Sequence, residues 1–374
     1  MARELGCPEP PDFALDFEAL DARHGWIRAL RGCEQDAEFH PEGDVWIHTR
    51  MVCQALCALD GWRALPPDER ALVFGAALLH DVAKPETTRR EGERVTARGH
   101  ARRGEQTARL LLWRLGAPFA WREALCALVL HHQVPFFLLE RDHPRRLLAR
   151  ISLRARCDHL ALLAEADARG RTAHDVPRLL ENIALFFEYA RDEGCLRAPR
   201  GFASDHARFL YFQQKRDDPD QAPYEAPDRP EVTLLSGLPG AGKDHFVAQH
   251  GAGRPVISLD ALRAELGVSP SDSQGKVVAA AREAAREHLR AGRAFVWNAT
   301  NISRQQRAAT ISLCADYDAR VQIVYLEVDE PTLRARNQAR RSAVPDAVID
   351  RLLRRWQPPD ASEAHRVQIV APRS

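Results

Sequence analysis

The chain changes rhythm near its middle. From about residue 12 to 212, apolar positions recur at three- and four-residue spacing. Examples are VWIHTRMVCQALCAL, ALVFGAALLHDVA, TARLLLWRL, REALCALVLHHQ and RLLARISLRARCDHLALLAEADARG. That spacing predicts amphipathic helices, and strand-like alternation is scarce over the same stretch. The next segment, QQKRDDPDQAPYEAPDRPE (213–231), is polar, holds four prolines and has no period, so it reads as a linker. Beyond it, the short β-rich runs VTLLS, PVISL, AFVWNAT and RVQIVYLEV alternate with helical segments such as SDSQGKVVAAAREAAREHLRAG and EPTLRARNQARRS. Strand–helix alternation of this kind predicts a parallel sheet. The expected architecture is multidomain: an all-α domain over 1–212, a linker over 213–231 and an α/β domain over 232–374.

The strongest local signal is at the head of the second half. Gly237-Leu-Pro-Gly-Ala-Gly242-Lys243 has the G-x-x-x-x-G-K spacing of a P-loop, with an apolar strand before it and a helix (HFVAQH) after it. Such a loop turns successive backbone N–H groups onto a β-phosphate, and its lysine neutralises the β/γ oxygens. The expected nucleotide-binding set is Gly237, Pro239, Gly240, Ala241, Gly242, Lys243 and Asp244. Asp244 stands where a Ser or Thr would ligate Mg²⁺, and its carboxylate can reach the ion directly or through water. Asp260 follows the second candidate strand, where ligands of open α/β sheets gather. It is placed to take a proton from an attacking hydroxyl, or alternatively to cap the next helix. Arg263 lies one turn on, where it could hold a substrate phosphate. AFVWNATNISRQQR presents Asn298, Thr300, Asn301, Arg304 and Arg307 at another strand exit as substrate contacts. Arg336 and Arg340 share a helix face that could close over the nucleotide, or be an ordinary solvated face.

The helical half carries ligand-type residues instead: His48, His80-Asp81, His100, His131-His132 and Asp167. His80-Asp81 ends an apolar helix that Pro85 helps terminate. Adjacent imidazole and carboxylate donors there suit Mn²⁺, Fe²⁺, Co²⁺ or Ni²⁺. Asp158 competes with Asp167 for the last position, with Asp167 preferred for its ADARGR context. His40 and His143 are expected to be surface or structural.

Composition narrows the setting. A chain of 374 residues suffices for two domains, and 45% hydrophobic with 28% charged is an ordinary globular mixture. No apolar run approaches the ~18–20 residues of a membrane span. The acidic, Pro-containing start lacks the basic-then-apolar pattern of a secretion signal. The eight cysteines are scattered, and Cys53/Cys57 has no second pair to complete a zinc pattern. Reduced thiols and a cytoplasmic location are expected. A net charge of +1 neither demands nor excludes a nucleic-acid partner. Lys84, Lys215, Lys243 and Lys276 are the only lysines among 53 basic residues. Two of them, Lys84 and Lys243, fall inside the candidate sites, as though an ammonium is wanted there.

Both halves resemble known families. The strand–P-loop, the S-x-D-x-x-R run (Ser258, Asp260, Arg263) and R-x-x-x-R on a lid helix resemble the 5′-OH polynucleotide kinase family. That resemblance implies that Lys243 and its loop bind ATP or another NTP with Mg²⁺. It further implies that Asp260 activates the 5′-OH, Arg263 grips a substrate phosphate, and Arg336 and Arg340 contact the NTP. The order H…HD…H…H(H)…D resembles the HD phosphohydrolase superfamily. ALLHDVAKP, GHARRGE and ADARGR look like the HD domains attached to bacterial tRNA-repair nucleotidyltransferases. Carried over, His48, His80, Asp81 and Asp167 hold a first metal, and His100 with His131 or His132 a second. Asp81 bridges the two, and Lys84 steadies a phosphate oxygen. Across nearly its whole length the chain resembles bacterial HD-domain/polynucleotide-kinase fusion enzymes. The implied function is bifunctional RNA end healing. A metal-dependent HD site would open a 2′,3′-cyclic phosphate and remove the monoester, while the α/β domain phosphorylates the 5′-OH of RNA or DNA ends. The expected partners are nucleic-acid ends and, functionally, an RNA ligase, with no membrane. The Arg-rich stretches 141–156 and 340–355 are candidate phosphate-contacting surfaces, or alternatively ordinary solvated helices. Two other classes compete: a nucleotide phosphohydrolase fused to a nucleoside or metabolite kinase, and a nucleotide-gated regulatory binding protein.

Overall fold

The computed structural model describes residues 1–251, 253–269, 272–340 and 343–372. The chain divides into two compact units, Met1–Gly201 and Phe202–Ser374.

The first unit is helical, as its periodicity predicts. Its site-bearing helices are α1 (Val45–Ala58), α2 (Pro67–Leu79), α3 (His100–Arg114), α4 (Phe119–His131) and α5 (Cys157–Arg169). The helix α1 starts where the Asp44 carboxylate accepts the Ile47 N–H at 2.9 Å, and α2 starts at Pro67 in its first turn. Every α2 residue from Ala71 to Leu79 is buried, so this helix is apolar all round and packs on α1, α4 and α5. One close approach fixes α5 against α1. A Cβ on Gly170 would lie 2.6 Å from Val52 Cγ2 and 2.8 Å from the Val52 backbone nitrogen, so only glycine fits. The sequence pattern misses one element here, an antiparallel hairpin of β1 (Arg89–Glu91) and β2 (Arg94–Thr96). Its strands are short and polar, with no buried face to generate an alternating pattern.

The second unit is built on five parallel strands, β3 (Glu231–Ser236), β4 (Val256–Ser258), β5 (Phe295–Asn298), β6 (Arg320–Leu326) and β7 (Arg366–Val370). They are ordered β4-β5-β3-β6-β7. Every pairing is parallel. The central strand β3 is buried over Val232–Ser236, as a strand covered on both faces must be. The chain runs from β3 to one side of the sheet and later to the other. The loop after β3 therefore sits at the switch point where α/β sheets bind ligands.

The polar 213–231 segment does not separate the two units. The preceding helix, α6 (Asp205–Phe212), belongs to the second: its Phe209 joins the sheet core, and Arg208 donates to the carbonyls of Ala361 and His365 at 2.9 and 2.6 Å. Arg229, near the end of the segment, pairs with Asp318 at 2.8 Å. Helical spacing identified α6 as a helix but carries no information about which core it serves.

Candidate functional site

In the first unit, five helices bring their ends or inner faces to one buried point. His48 comes from α1, His80 is the C-cap of α2 with Asp81 next, His100 opens α3, His132 is the C-cap of α4, and Asp167 comes from α5. All are buried. Their donor atoms form two triads, His48–His80–Asp167 and Asp81–His100–His132, with the atoms in each within 4.8 Å of one another. Asp81 spans both. Its Oδ2 lies 3.2 Å from His80 Nε2 and 3.9 Å from His48 Nε2, and its Oδ1 lies 3.5 Å from His100 Nε2.

The hydrogen bonds behind the imidazoles set their tautomers. Nδ1 of His80, His100 and His132 lies 2.8, 2.8 and 2.7 Å from the carbonyls of Ala77, Ala97 and Val129. A carbonyl only accepts, so each Nδ1 donates and each Nε2 presents a lone pair. Those lone pairs converge. His80 Nε2 is 3.4 Å from His48 Nε2, and His100 Nε2 is 3.3 Å from His132 Nε2. The buried Asp81 Oδ1 has no hydrogen-bond partner. Two helix C-termini add negative potential at the same point. Converging lone pairs, a partnerless carboxylate oxygen and nitrogen/oxygen donors all fit divalent cations of the Mn²⁺, Fe²⁺, Co²⁺ or Ni²⁺ type.

The electrostatics agree. Burial pushes the Asp81 carboxyl up, but Lys84 and the neighbouring histidines outweigh it and hold it well below the usual range. Burial likewise raises Asp167, and Arg171 and His48 overturn that. Burial, reinforced by His100 and His80, takes His132 down to about 3. His80 is the exception: burial lowers it, but Asp81 and Asp167 raise it further, which is the field of a cation site. Lys84 Nζ is held between Asp81 Oδ2 at 2.7 Å and Gln35 Oε1 at 2.6 Å.

In the second unit, β3 leads into the glycine loop, which Gly242 joins to the helix α7 (Lys243–His250). A Cβ on Gly240 would lie 2.5 Å from the Leu333 carbonyl oxygen. The loop thus packs directly on the helix α8 (Glu330–Gln338), the one bearing Arg336. Lys243 Nζ donates to the loop's own carbonyls, Gly237 at 2.8 Å and Leu238 at 3.0 Å. Burial lowers its pKa to about 8, a value that an anion in the loop would raise again. Around the lysine, Asn298 Nδ2 donates to Asp244 Oδ1 at 2.8 Å. Arg340 Nη2 lies 3.6 Å from both Asp244 Oδ2 and Asp260 Oδ2. Arg263 Nη1 binds Asp260 Oδ1 at 2.5 Å. Ser258, not Asp260, caps the helix after β4, so the Asp260 carboxylate is available for other work.

Residues 45–168 match the family described as HD domain, and 232–359 the family described as AAA domain. The chain is an HD domain followed by a P-loop kinase-like domain. The Multifunctional CCA protein of Xanthomonas euvesicatoria pv. vesicatoria is 36% identical over 193 residues, 50% of this chain and 45% of that protein. Its namesake from Hahella chejuensis is 33% identical over 178 residues, 46% of this chain and 40% of that protein. The chain thus spans less than half the length of these curated relatives. A solved structure from Chloroflexus aurantiacus j-10-fl covers 39% of this chain and 87% of that chain, at 18% identity and TM-score 0.33, and adds nothing to the assignment. Among the described residues, no helix is long and apolar enough to cross a membrane.

The HD centre unites every histidine and aspartate expected of it except His131. That residue is half-buried at the end of α4 and outside both triads, while His132 is in one. Asp158 lies outside both triads, where Arg156 binds it at 2.6 Å and Arg197 lies 3.3 Å away. Nine residues are two and a half helical turns, so Asp158 and Asp167 face opposite sides of α5. Sequence reasoning missed Glu42, whose Oε1 lies 2.9 Å from both His48 Nδ1 and His40 Nδ1. It also missed Arg171, which clasps Asp167 at 2.9 and 3.0 Å. His40 is accordingly a neighbour of the centre, its ring 4.7 Å from that of His48.

The kinase-like domain keeps Lys243, Asp244, Asp260, Arg263, Asn298 and Arg340 together, with Arg336 Nη1 3.7 Å from where a Gly242 Cβ would stand. It removes three expected substrate contacts. Arg307 is fully buried and binds Glu363 through Nε and Nη2 at 2.7 and 2.8 Å. Arg304 binds Asp360 at 3.0 Å and Ser362 at 2.7 Å. Asn301 is buried and donates to the Leu235 carbonyl at 2.7 Å. Thr300 meets the loop through its backbone, its carbonyl accepting the Gly237 N–H at 2.9 Å. Of the basic stretch 340–355, Arg341 and Ser342 lie outside the described residues.

Proposed function

We propose that the protein heals both kinds of broken RNA end, phosphorylating a 5′-OH at the P-loop domain and hydrolysing a 2′,3′-cyclic phosphate and its monoester at the HD domain. The observation that carries the reading is the openness of the acceptor site. The side chains of Asp260 and Asp244 are 68% and 71% exposed, beside a loop whose 237–239 stretch is buried and whose Lys243 is half-buried. A polymer end can reach a carboxylate set in open surface, whereas a nucleoside kinase would enclose its acceptor.

At this site Asp260 Oδ2 takes the proton from the 5′-OH as that oxygen attacks the γ-phosphate in line. Lys243 exchanges the Gly237 and Leu238 carbonyls for the β/γ oxygens. Arg340 and Arg336 meet the charge that spreads over the transferring group. Asp244, held by Asn298, is the residue that would ligate Mg²⁺, in place of the usual hydroxyl. Arg263 orients Asp260 and has its Nε on Gln274 Oε1 at 2.8 Å.

At the HD centre, His48, His80, Asp81 and Asp167 would hold one cation and Asp81, His100 and His132 a second. Such ions polarise a phosphoryl group and supply hydroxide at neutral pH. Lys84 moves from Asp81 to a phosphate oxygen, and Gln35 keeps its ammonium in place. Glu42 and Arg171 hold His48 and Asp167 in orientation.

The test uses one short RNA with a 5′-OH and a 2′,3′-cyclic phosphate, incubated with ATP, Mg²⁺ and Mn²⁺. Each end is followed separately for the parent, Asp260→Ala and Asp81→Ala. Loss of only the 5′ reaction in the first variant and only the 3′ reaction in the second is expected. No change at either RNA end, with turnover of free nucleotides, would replace this reading by the small-molecule one.

A further inference from the structure

The hairpin β1–β2 is tied at both ends to the HD centre. Its entry follows the short helix Lys84–Thr87, and its exit contains Ala97, whose carbonyl accepts from His100 Nδ1 at 2.8 Å. The hairpin faces an acidic loop, Glu34–Glu38, which is tied to the same centre. Gln35 holds Lys84 at 2.6 Å, and Glu42, a few residues on, lies 2.9 Å from His48. Cys33 Sγ and Thr88 Oγ1 meet at 3.5 Å where loop and hairpin join.

Between them run exposed ion pairs. Arg90 Nη2 lies 2.6 Å from Glu34, and Arg94 lies 3.4 Å from Asp36 and 3.3 Å from Glu38. Both arginines are more than 60% exposed, as is Glu34. Exposed pairs of this kind are weak and screened by salt. They contribute little to the fold, yet they keep two arginines occupied by carboxylates beside a phosphohydrolase centre. The acidic residues alternate along the loop (Glu34, Asp36, Glu38), a row of anions of the kind a nucleic-acid backbone presents. Phe39, partly exposed and 5.9 Å from the Arg94 guanidinium, adds a ring face on which a base can stack.

We infer that Arg90 and Arg94 form the docking edge for the phosphates of a polynucleotide behind its reacting 3′ end, and that the 34–38 loop is an internal stand-in which those phosphates displace. The guanidiniums exchange carboxylate partners for phosphates, and the freed Glu34 and Glu38 side chains, 62% and 58% exposed, turn to water. A mononucleotide has no upstream phosphates and cannot make the exchange, so the hairpin selects for polymer ends. The inference rests on the HD domain acting as the hydrolase proposed above.

The test compares two substrates of the full-length protein in Mn²⁺: adenosine 2′,3′-cyclic monophosphate and a twelve-nucleotide RNA with a 2′,3′-cyclic end. In R90A/R94A the oligonucleotide KM is expected to rise about tenfold, and the slope of log KM against log salt to fall by about 1 for each phosphate that the hairpin no longer neutralises. The mononucleotide KM stays unchanged. E34Q/D36N/E38Q is expected to lower the oligonucleotide KM, because the stand-in is removed. Equal effects of R90A/R94A on both substrates would make the hairpin a structural support and overturn the inference, as would no effect on either. A parent that hydrolyses neither substrate would overturn the hydrolase reading itself, and this inference with it.

Discussion

Arg307 separates a structural from a substrate-binding role at the P-loop domain. Its guanidinium is 0% exposed and the Glu363 side chain 3% exposed. It donates to both Glu363 oxygens, to the Asn301 carbonyl at 3.0 Å and to the Gln357 carbonyl at 2.7 Å. Arg307→Ala removes all four bonds and leaves a carboxylate buried without its counter-charge. Breaking one side of a buried pair costs about 3–5 kcal/mol. For a unit of this size each kcal/mol lowers Tm by about 2–4 °C, so the expected drop is about 10 °C. The assay is thermal unfolding of parent, Arg307→Ala and the double variant Arg307→Met/Glu363→Leu. The double variant should recover part of the loss, since an apolar pair of similar volume leaves no stranded charge. Kinase assays well below the unfolding transition should give an unchanged acceptor KM for Arg307→Ala. A parent-like Tm together with a raised acceptor KM would refute the structural reading and restore the role its place after β5 suggested.

Three further outcomes follow from the same geometry. Glu42→Gln should weaken Mn²⁺ binding by about 10–100-fold, since carboxylates behind metal-bound imidazoles contribute on that scale, while Asp158→Asn leaves it unchanged; titration calorimetry reads both. His132→Gln should lose bound metal by plasma emission analysis and His131→Gln should keep it; the reverse result would mean that the α4 end is registered differently. In acid, His132 and His365 are both driven, chiefly by burial, to about 3, far below the unfolded value of about 6.5. With folded pKa values depressed, the unfolded chain binds protons first. The stability they contribute is complete above about pH 6.5 and is lost as pH falls towards 3, so the metal-free protein should show Tm falling across that window. A Tm flat from pH 7 to 4 would contradict the burial of these rings.

What was legible in the sequence follows how locally each feature is encoded. The glycine loop, His80-Asp81 and the helix periods are short-range patterns, and each lies where its spacing implied. The run Ser258, Asp260 and Arg263 is local too, and even its competing cap reading is resolved within three residues, because Ser258 takes the cap. Arg304 and Arg307 were misleading for a physical reason. The strand exit after β5 is a ligand-facing position, but a capping box of Ser303 and Gln306 starts a helix there at once. That helix carries both arginines to Asp360 and Glu363, partners more than fifty residues further on. No periodicity announces such a pairing. Glu42 was hidden differently, in a loop without repeat or motif, where only the fold brings it behind His48. The strand β7 was not hidden: its RVQIV repeats the first five residues of β6, so the pattern that marks β6 as a strand marks β7 as well, although β7 lies at the sheet edge. The aspartates of α5 are the contrasting case. Helical geometry alone puts Asp158 and Asp167 on opposite faces, so the choice depended only on which face meets α1. Gly170 decides it, because the contact that excludes a side chain there is the contact that carries Asp167 to His48.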